Sequence, residues 1–584
     1  MKLLNKHIKK YFLAQKTMLA ILSLFLMGTS FLYYFVHFSV DKNLSRYRNV
    51  DTATLAENEL KYLTALENNT VLVRYMTLSM SVVFLLILFL FITNTVKKNQ
   101  ANIGLLQSLG FTTYYIAGST SGFFYVFAII AILIGEVAGY FGSSILISAN
   151  ENTYGMELLS KGISFSNSIR LVAYLGGVVL IVPYIAFALA VGKDAALLMK
   201  KSDGLAGKPG IIEKFIGFFK MKGGYKYKLT LKNISELLLI VTAIVTFSIM
   251  FVLSVSLLLS SREVMKSQRE GREYSYVTEY DDMRIDEPEV EDSAEINEAD
   301  NTDNLAYYIK YNAAINHSGE KISYNIIGID SDNGLFSLYD KKHVVIDISN
   351  EEGIVLNPEL SENYGIKVGD ELSLEIGGKE VKLVATNIAR NAGIKSMYIS
   401  KEKLAALMNI DSAAYNAVLS NKAIDESAST SYSYEEKMEA LSRDQTSNKA
   451  SAIINQSIGV ATGCLLIFLA IFIGLSSNTE SILIFDLLGY DSKKINRILL
   501  DPYIVVANII FVITLPICIF AAKRIQISTS LATGDYMPFQ VSGFTIVYMF
   551  VILNLICFLV RAVFTRKIKK IIEGEKQAEY LSEW

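Results

Sequence analysis

The chain contains few of the residues that build metal sites, disulfide bonds or nucleophilic active sites. Only three cysteines and four histidines occur among its 584 residues. Cys464, Cys518 and Cys557 all lie in long apolar runs, so the polar segment 261–452 must fold without disulfide bonds. The histidines are scattered, and no nucleophile is paired with a base in a recognisable motif. We therefore expect neither a metal centre nor covalent catalysis in this chain.

A phosphate-binding loop is also missing. No Gly-x-x-x-x-Gly-Lys-Ser/Thr sequence occurs, and the nearest approach, Gly204–Lys208, is followed by Pro209 instead of the hydroxyl residue that would bind Mg²⁺. Charge is sparse as well, since charged residues make up 19% of the chain whereas hydrophobic residues make up 52%. With a mean hydropathy of +0.35, the chain is too apolar for a soluble protein of this length.

Long apolar runs account for this composition. A helix needs about 20 apolar residues to cross the roughly 30 Å of hydrocarbon in a bilayer, and the sequence contains eight such runs. They cover residues 18–38, 72–95, 114–148, 168–192, 236–259, 454–475, 502–522 and 541–562. The first run is longer than the core of a signal peptide, so it is expected to remain as a membrane anchor. The sequence thus predicts an α-helical integral membrane protein.

The charges are distributed unevenly. Segment 261–452 holds 20 basic and 36 acidic residues, whereas the rest of the chain holds 35 basic and 21 acidic ones. With eight spans, five segments including both termini share one side and carry 26 Lys and Arg residues, against seven in the three short loops opposite. Because Lys and Arg mark the cytoplasmic side, both termini are expected inside the cell and segment 261–452 outside. An exported domain without cysteines favours a bacterial cell membrane, and we expect a Gram-positive bacterium.

One block of sequence occurs twice. An apolar span followed by Ile103–Gly110, and later a span followed by Ile482–Gly489, each lead into two more spans. The lysine-rich segments Lys2–Lys10 and Lys226–Ile234 precede the first span of each copy, and they are typical of elbow helices that lie in the membrane interface. Generic basic flanks are the alternative for these two segments. The repeat predicts two four-helix halves, the second of which contains a large insert.

These features define the predicted domains. The order is an elbow helix at 1–16, a first half at 17–192, a basic linker with the second elbow at 193–235, a fifth span at 236–259, an extracytoplasmic α+β domain at 260–453, three further spans within 454–562 and a cytoplasmic tail at 563–584. The inserted domain thus stands where the first half has only the short segment 39–71.

Each copy contains a short amphipathic helix between two spans. Its apolar residues recur every three positions, and a glycine ends it as in a left-handed helix cap. The first connecting helix runs from Asn102 to Gly110 and the second from Ser481 to Gly489. Their apolar stripes consist of Ile103, Leu106 and Leu109, and of Ile482, Phe485 and Leu488. Such a projection would transmit motion from a cytoplasmic partner; an ordinary helical hairpin on the bilayer surface is the alternative.

The span order, the connecting helices and the insert resemble the FtsX-like, or MacB-type, ABC transporter permeases over nearly the whole chain. In that family the connecting helix commonly reads Arg-Glu-x-Gly-(Ile/Leu)-Leu-x-Ala-Leu-Gly, which Gly104–Gly110 matches closely. Asn102 and Ser481 stand where the family often has Glu, so no salt bridge to the partner is expected there. The resemblance implies a separate ABC ATPase, which holds ATP and Mg²⁺, and no cofactor in this chain. The two connecting helices predict two ATPase subunits per permease.

The insert adds a second resemblance. Glu352–Asn357 reads as a strand that leads into a short helix at Pro358–Tyr364, and two alternating runs around Gly377 and Gly378 read as a hairpin. This β-rich α+β pattern, which includes Gly-Ile-Lys-Val-Gly-Asp at Gly365–Asp370, is similar to the extracytoplasmic domain of MacB-type permeases. An unrelated small α+β domain is the alternative.

An acidic block in the insert is the candidate docking surface. Residues 279–303 hold twelve carboxylates and one basic residue, Arg284. Such a block is either a solvated mobile loop or a surface that attracts cationic peptides or divalent cations. Its spacing is not that of an EF-hand. The candidate docking residues are Asp281, Asp282, Asp286, Glu287, Glu289, Glu291 and Asp292.

One carboxylate lies within a predicted span. Glu136 is in the third span, where an ionised group is costly and must face protein or water. It would either relay a signal along a helix interface or pack near the outer surface between Gly135 and Gly139. Arg74 and Arg170, near the outer ends of the second and fourth spans, are its candidate partners; the alternative is that their side chains only extend to the membrane surface.

Together these features predict the permease of an ABC transporter of the mechanotransmission type, in which a partner ATPase moves the extracytoplasmic domain. The expected output is efflux of, or resistance to, antimicrobial peptides or lipophilic compounds, as in the distantly similar bacitracin-resistance permeases, which often have ten spans. The alternative is a regulatory scaffold that signals to a sensor kinase or a cell-wall hydrolase. An ion-coupled transporter would need charges gathered at the bilayer midplane, and only Glu136 qualifies. The lipid bilayer is an expected partner, and nucleic acid is not.

Overall fold

The structure is a computed structural model that describes most of the chain. The described residues are 12–13, 16–48, 50, 57–154, 159–163, 165–191, 234–285, 305–317, 320–424 and 429–582. Most of both predicted elbow segments and of the linker 193–235 lies outside them. The chain divides into two compact units. Unit 1 comprises 1–251, 457–519 and 546–584, and unit 2 comprises 252–456 and 520–545.

Eight long helices and five short ones form within the described residues. The long helices are α1 (Lys16–Tyr47), α2 (Glu57–Lys98), α4 (Thr113–Tyr154), α5 (Phe165–Val191), α6 (Ile234–Ser267), α9 (Tyr434–Ser477), α12 (Asp501–Thr533) and α13 (Gly543–Ser582). The short helices are α3 (Gln100–Ser108), α7 (Pro358–Asn363), α8 (Lys401–Met408), α10 (Thr479–Leu487) and α11 (Ser492–Leu499). Each predicted span overlaps one of the long helices.

By length and composition, six helices in the described residues can cross a membrane. They are Met18–Tyr47, Thr113–Ser148, Ser166–Phe187, Glu236–Ser267, Ser492–Leu531 and Gly543–Glu573. The second predicted span belongs to a pair, Met80–Val96 and Gln100–Ser108, which meet at 71° and together count as a seventh. The sixth predicted span corresponds to the apolar helix Gly459–Leu475, which is part of α9. The chain is therefore a multi-pass membrane protein.

Within unit 1, α1 packs closely against α4 through small residues on α4. A Cβ added at Gly135 would lie 1.8 Å from Ser30 Oγ, and one added at Gly139 would lie 2.7 Å from Tyr34 Cβ. Small residues four positions apart let two helices approach each other closely in a membrane. A side chain at either glycine would push the two helices apart.

Unit 2 contains a nine-stranded mixed sheet and a small two-stranded sheet. The nine strands are β1 (Tyr276–Arg284), β2 (Ala306–His317), β3 (Glu320–Gly328), β6 (Ile354–Leu356), β7 (Glu371–Ile376), β8 (Lys379–Ile388), β9 (Ser396–Ile399), β10 (Tyr415–Ser420) and β11 (Ser429–Ser433); β4 (Leu338–Tyr339) and β5 (Val345–Ile346) form the small sheet. The order in the large sheet is β11-β1-β10-β2-β3-β9-β6-β8-β7. The prediction of a β-rich insert between apolar helices is confirmed.

Six of these strands close into a ring, because β7 at the end of the order also pairs with β2. The pairs β3–β9 and β6–β8 are parallel, and the other pairs in the ring are antiparallel. The core of the ring includes Ile315, Tyr324, Ile326, Leu374 and Met397, which are almost completely buried. At about 1.5–3 kcal/mol for each buried apolar side chain, this core stabilises a domain whose sequence contains no cysteine.

Two local predictions for the insert are confirmed. β7 and β8 pair with Ile376 opposite Lys379, and the two intervening glycines have φ of 57° and 74°, which a tight two-residue hairpin turn requires. Helix α7 begins after Asn357, whose side chain accepts a hydrogen bond from the backbone N–H of Glu359 at 2.8 Å. This N-cap with proline at the next position is a strong start signal for a helix.

Candidate functional site: the connecting helices and the inserted domain

The two connecting helices, α3 and α10, begin in the same way. The residues before them, Asn99 and Asn478, have nearly the same backbone conformation, with φ of −108° and −110°. In each case the side-chain Nδ2 donates back to the carbonyl four residues earlier, from Asn99 to Thr95 at 2.8 Å and from Asn478 to Gly474 at 2.9 Å. Each asparagine thus ends the preceding long helix and starts the connecting helix. Sequence reasoning missed both residues.

The two helices also end alike, at Gly110 and Gly489. Both glycines have the left-handed conformation, with φ of +91° and +80°. The glycine N–H donates to the carbonyl of the residue three positions earlier. The N–H of the residue after the glycine donates to the carbonyl five positions before that residue, which is the Schellman pattern. These bonds join Gly110 to Gln107 and Gly489 to Asp486, both at 2.9 Å, Phe111 to Leu106 at 3.1 Å, and Tyr490 to Phe485 at 3.0 Å. The repeat therefore extends to the hydrogen bonds at both ends.

Replacing either cap glycine by alanine is expected to destabilise the end of that helix. A left-handed backbone costs a residue with a Cβ about 1–2 kcal/mol, and no neighbouring atom would contact the new methyl group at Gly110 or Gly489. The melting temperature of the purified chain should fall for Gly110→Ala and Gly489→Ala. The matched control is Gly122→Ala in the interior of α4, where space is also free and alanine should stabilise the helix. Equal melting temperatures for all three variants would contradict this prediction.

The residues of the two predicted apolar stripes differ in their exposure. Ile103 and Ile482 are buried within unit 1, whereas Leu109 and Leu488 are 68% and 67% exposed. Of the other predicted residues, Leu106 and Ser481 are half-buried, Phe485 is buried and Asn102 is exposed. The exposed apolar surface also includes Leu105, Ile484 and Leu487. A strict three-residue period drifts around a helix with 3.6 residues per turn, so the two ends of each stripe point in different directions.

The segments after the two connecting helices differ. Helix α4 starts at Thr113, almost directly after α3, whereas α10 is followed by the separate helix α11. Ile495 and Leu499 of α11 are buried, and its exposed basic residues are Lys493, Lys494 and Arg497. Helix α3 contains no charged residue. The two halves therefore present similar apolar tips in different electrostatic surroundings.

The carboxylate of Glu136 on α4 has a hydroxyl partner. Ser168 Oγ donates to Glu136 Oε1 at 2.7 Å, and Glu136 is half-buried. Arg170 instead donates to Asn167 Oδ1 at 3.3 Å. The structure therefore gives Glu136 a partner on α5 that sequence reasoning missed. This bond joins α4 to α5, which favours packing of the two helices over a relay role.

The acidic block begins as a strand, so the interpretation of all of 279–303 as a loop is wrong. Glu279, Asp281 and Asp282 belong to β1, which pairs with β10 and β11. Glu279 forms an ion pair with Lys310 at 2.7 Å and accepts a hydrogen bond from Tyr432 Oη at 2.8 Å. Glu279 is thus a structural residue, while Asp281 and Asp282 are exposed. The other candidates, Asp286, Glu287, Glu289, Glu291 and Asp292, lie outside the described residues.

An acid-lined groove lies at the edge of the same sheet. It has a volume of about 610 Å³ and is lined by Tyr276, Ala423, Ile424, Ser431, Ser433, Glu435, Glu436 and Glu439. Three carboxylates in one groove attract cations in general. Among the described residues, no group of three or more His, Cys, Asp or Glu side chains could hold a metal ion.

The inserted domain contacts the loop between α12 and α13 within unit 2. Asn363 Nδ2 at the end of α7 donates to Ser530 Oγ at 3.0 Å, and Tyr536 Oη donates to Glu362 Oε2 at 3.1 Å. Ser530 is completely buried and donates in turn to the carbonyl of Asp535 at 2.6 Å. Residues far apart in sequence therefore join α7 to this loop, which we call the outer loop (residues 534–542).

A buried carboxyl group on α7 predicts a pH-dependent stability. Glu359 is 3% exposed, and burial raises the pKa of its carboxyl group, with Asp535 adding to the rise while Tyr324 and Lys395 oppose it. The folded protein therefore keeps this proton at pH values where the unfolded chain has lost it. Stability is expected to fall as pH rises from the usual Glu value of 4.5 to the raised value, and then to level off.

The variant Glu359→Gln tests this expectation, because it removes the titrating group and keeps the shape. The melting temperature of the variant should depend less on pH above 4.5 than the melting temperature of the wild type. Glu352→Gln, which changes an exposed glutamate of the same domain, is the control and should follow the wild-type curve. Parallel curves for the wild type and Glu359→Gln would rule the prediction out.

These elements define a class: a multi-pass membrane protein with a broken helix pair in each half and a β-rich domain inserted between helices. Residues 457–571 match the family model described as FtsX-like permease C-terminal, a stretch that contains α10, α11 and α12 with parts of α9 and α13. This stretch is thus similar to the C-terminal domain of FtsX-like permeases, and the predicted resemblance is confirmed for this part of the chain. FtsX-like permeases are non-enzymatic transport components that generally work with ABC ATPases. No curated protein matches the chain.

Proposed function

We propose that this chain is the permease subunit of an ABC transporter of the mechanotransmission type. The observation that carries the proposal is the pair of connecting helices, which share their caps and each expose apolar side chains. The second of them lies inside the FtsX-like domain. In this proposal both helices and both termini are cytoplasmic, each connecting helix contacts one subunit of an ATPase pair, and the inserted domain is extracytoplasmic.

Purification of the tagged chain from native membranes tests the proposal. The expected result is a co-purified ABC ATPase, with two ATPase subunits for each permease by native mass spectrometry. A reproducible ratio of one to one would contradict the stoichiometry, and a chain that never retains an ATPase would contradict the function. Recovery of a sensor kinase or a cell-wall hydrolase with the ATPase would favour a regulatory scaffold instead.

Cationic antimicrobial peptides are the cargo that the charge pattern supports. Acidic residues outnumber basic ones by 36 to 20 in segment 261–452, and such a surface attracts positive ligands from a distance. Because β1 extends to Arg284, the test is a deletion of 286–303, which leaves this strand intact. Cells with the deletion should lose resistance to cationic peptides and keep resistance to neutral lipophilic compounds. Unchanged peptide resistance would exclude this block as the docking surface.

A further inference from the structure

A buried polar junction joins three helices of the second half within unit 1. Glu236 of α6 is completely buried, and Tyr503 Oη of α12 donates to its Oε2 at 2.6 Å. Gly474 of α9 makes room for this bond, because an added Cβ would lie 1.8 Å from Tyr503 Oη and 2.6 Å from Glu236 Oε2. A glycine is therefore required at this position for the pair to form.

The same glycine holds the start of the second connecting helix. Its carbonyl accepts hydrogen bonds from both the side chain and the backbone N–H of Asn478, at 2.9 and 3.1 Å. The carbonyl of Asn478 in turn accepts from the N–H of Ile482 at 3.1 Å, in the first turn of α10. Gly474, which lies against the Glu236–Tyr503 bond, is thus only four residues before Asn478, the residue at which α9 breaks and α10 begins.

The first half has a similar junction with different chemistry, in which two of the three residues, Phe12 and Phe124, occupy equivalent positions. Phe124 follows Gly110 by the same 14 residues by which Tyr503 follows Gly489, and Phe12 and Glu236 each lie two residues after a lysine-rich segment. The ring of Phe12 lies 5.0 Å from that of Phe124 and 5.7 Å from that of Phe91 on α2, and the rings of Phe91 and Phe124 are 5.9 Å apart. Three helical segments meet in both halves, through aromatic rings in one and through a carboxylate and a phenol in the other.

The two chemistries have different physical consequences. Aromatic packing tolerates small shifts and rotations, whereas a short hydrogen bond to a buried carboxylate requires one distance and direction. Removing a hydrogen-bond donor from a buried carboxylate is costly. The junction of the second half therefore has a preferred geometry that the junction of the first half lacks.

We propose that Glu236 and Tyr503 are positioning residues that set the orientation of the second connecting helix, so that the half with the inserted domain is the one that responds to the ATPase. This inference rests on the proposed permease function. The aromatic junction of the first half serves as a packing contact. Among the described residues, the two halves thus expose similar apolar tips, whereas the junction of three helical segments is polar in the second half and aromatic in the first.

The double variant Glu236→Leu/Tyr503→Phe separates positioning from stability. Glu236→Leu leaves Tyr503 Oη without its acceptor and Tyr503→Phe removes a donor from Glu236, so each single change should lower the melting temperature. The double variant removes both groups of this bond and should restore part of the lost stability. With the co-purified ATPase in lipid nanodiscs, we expect the double variant to bind the ATPase normally. Its kcat for ATP hydrolysis should nevertheless fall by about tenfold relative to the wild-type complex.

Two further variants complete the test. Glu236→Gln keeps an acceptor for Tyr503 Oη and should retain most of the wild-type kcat. Phe124→Leu in the first half is the matched control and should keep kcat even if it lowers the melting temperature. A double variant that regains both stability and wild-type kcat would overturn the inference and leave the permease function intact. A wild-type chain that neither binds nor stimulates any ATPase would overturn both.

Discussion

Glutamate at the exposed tips of both connecting helices is expected to weaken binding of the ABC ATPase strongly. Leu109 and Leu488 are about two-thirds exposed, so Leu109→Glu/Leu488→Glu should leave the fold intact. Burial of a leucine in an interface contributes about 1.5–3 kcal/mol, and a buried unpaired carboxylate adds a further cost. The double variant should therefore bind the ATPase at least about a hundredfold more weakly. The measurement is a titration of the purified permease with its ATPase.

The single variants test whether the two contacts are equivalent. If each connecting helix binds one ATPase subunit, Leu109→Glu and Leu488→Glu should each weaken binding, and their effects should add. Ile163→Glu is the control, since Ile163 is 70% exposed and lies in a loop predicted on the opposite side of the membrane. Full ATPase binding by the double variant would exclude these helices as the contact.

Local patterns in the sequence predicted the parts of this fold that depend on neighbouring residues. The glycine pair at 377 and 378 predicted the hairpin because two adjacent left-handed residues define its turn. Asn357 followed by proline predicted the start of α7 for a similar reason. Repetition of the connecting helix revealed the two halves, since Gly110 and Gly489 each end a helix through the same local hydrogen bonds.

Features that depend on distant residues could not be predicted in this way. The closed ring of six strands needs the pairing of β2 with β7, which no local pattern encodes. The acidic neighbours of Glu279 are typical of a solvated loop, yet Lys310 and Tyr432 hold it in a strand. Glu236 and Tyr503 are 267 residues apart, and only the structure shows that they meet. Which residues of the connecting helices are exposed likewise depends on which of them the rest of unit 1 covers.

The contact between α7 and the outer loop should depend strongly on one buried hydroxyl group. In Ser530→Val, Asn363 loses its acceptor and the carbonyl of Asp535 loses its donor. Unpaired buried polar groups cost about 1–3 kcal/mol each. We therefore expect the free energy needed to open this contact to fall by about 2 kcal/mol. Amide hydrogen exchange in residues 530–541 should accelerate about 30-fold. Hydrogen-exchange mass spectrometry of the complete chain in nanodiscs measures this rate.

Thr529→Val provides a matched control for that measurement, because the same kind of hydroxyl is removed one residue earlier. Thr529 Oγ1 donates only within its own helix, to the carbonyl of Ile525 at 2.9 Å, so exchange in the outer loop should stay at the wild-type rate. Asn363→Ala removes the other partner of the Ser530 bond and should accelerate the same amides. Because Tyr536 and Gln540 form separate bonds to Glu362 and Ser256, the inserted domain should remain folded in all three variants. If exchange in the outer loop is as slow in Ser530→Val as in Thr529→Val, the contact with α7 does not hold this loop in place.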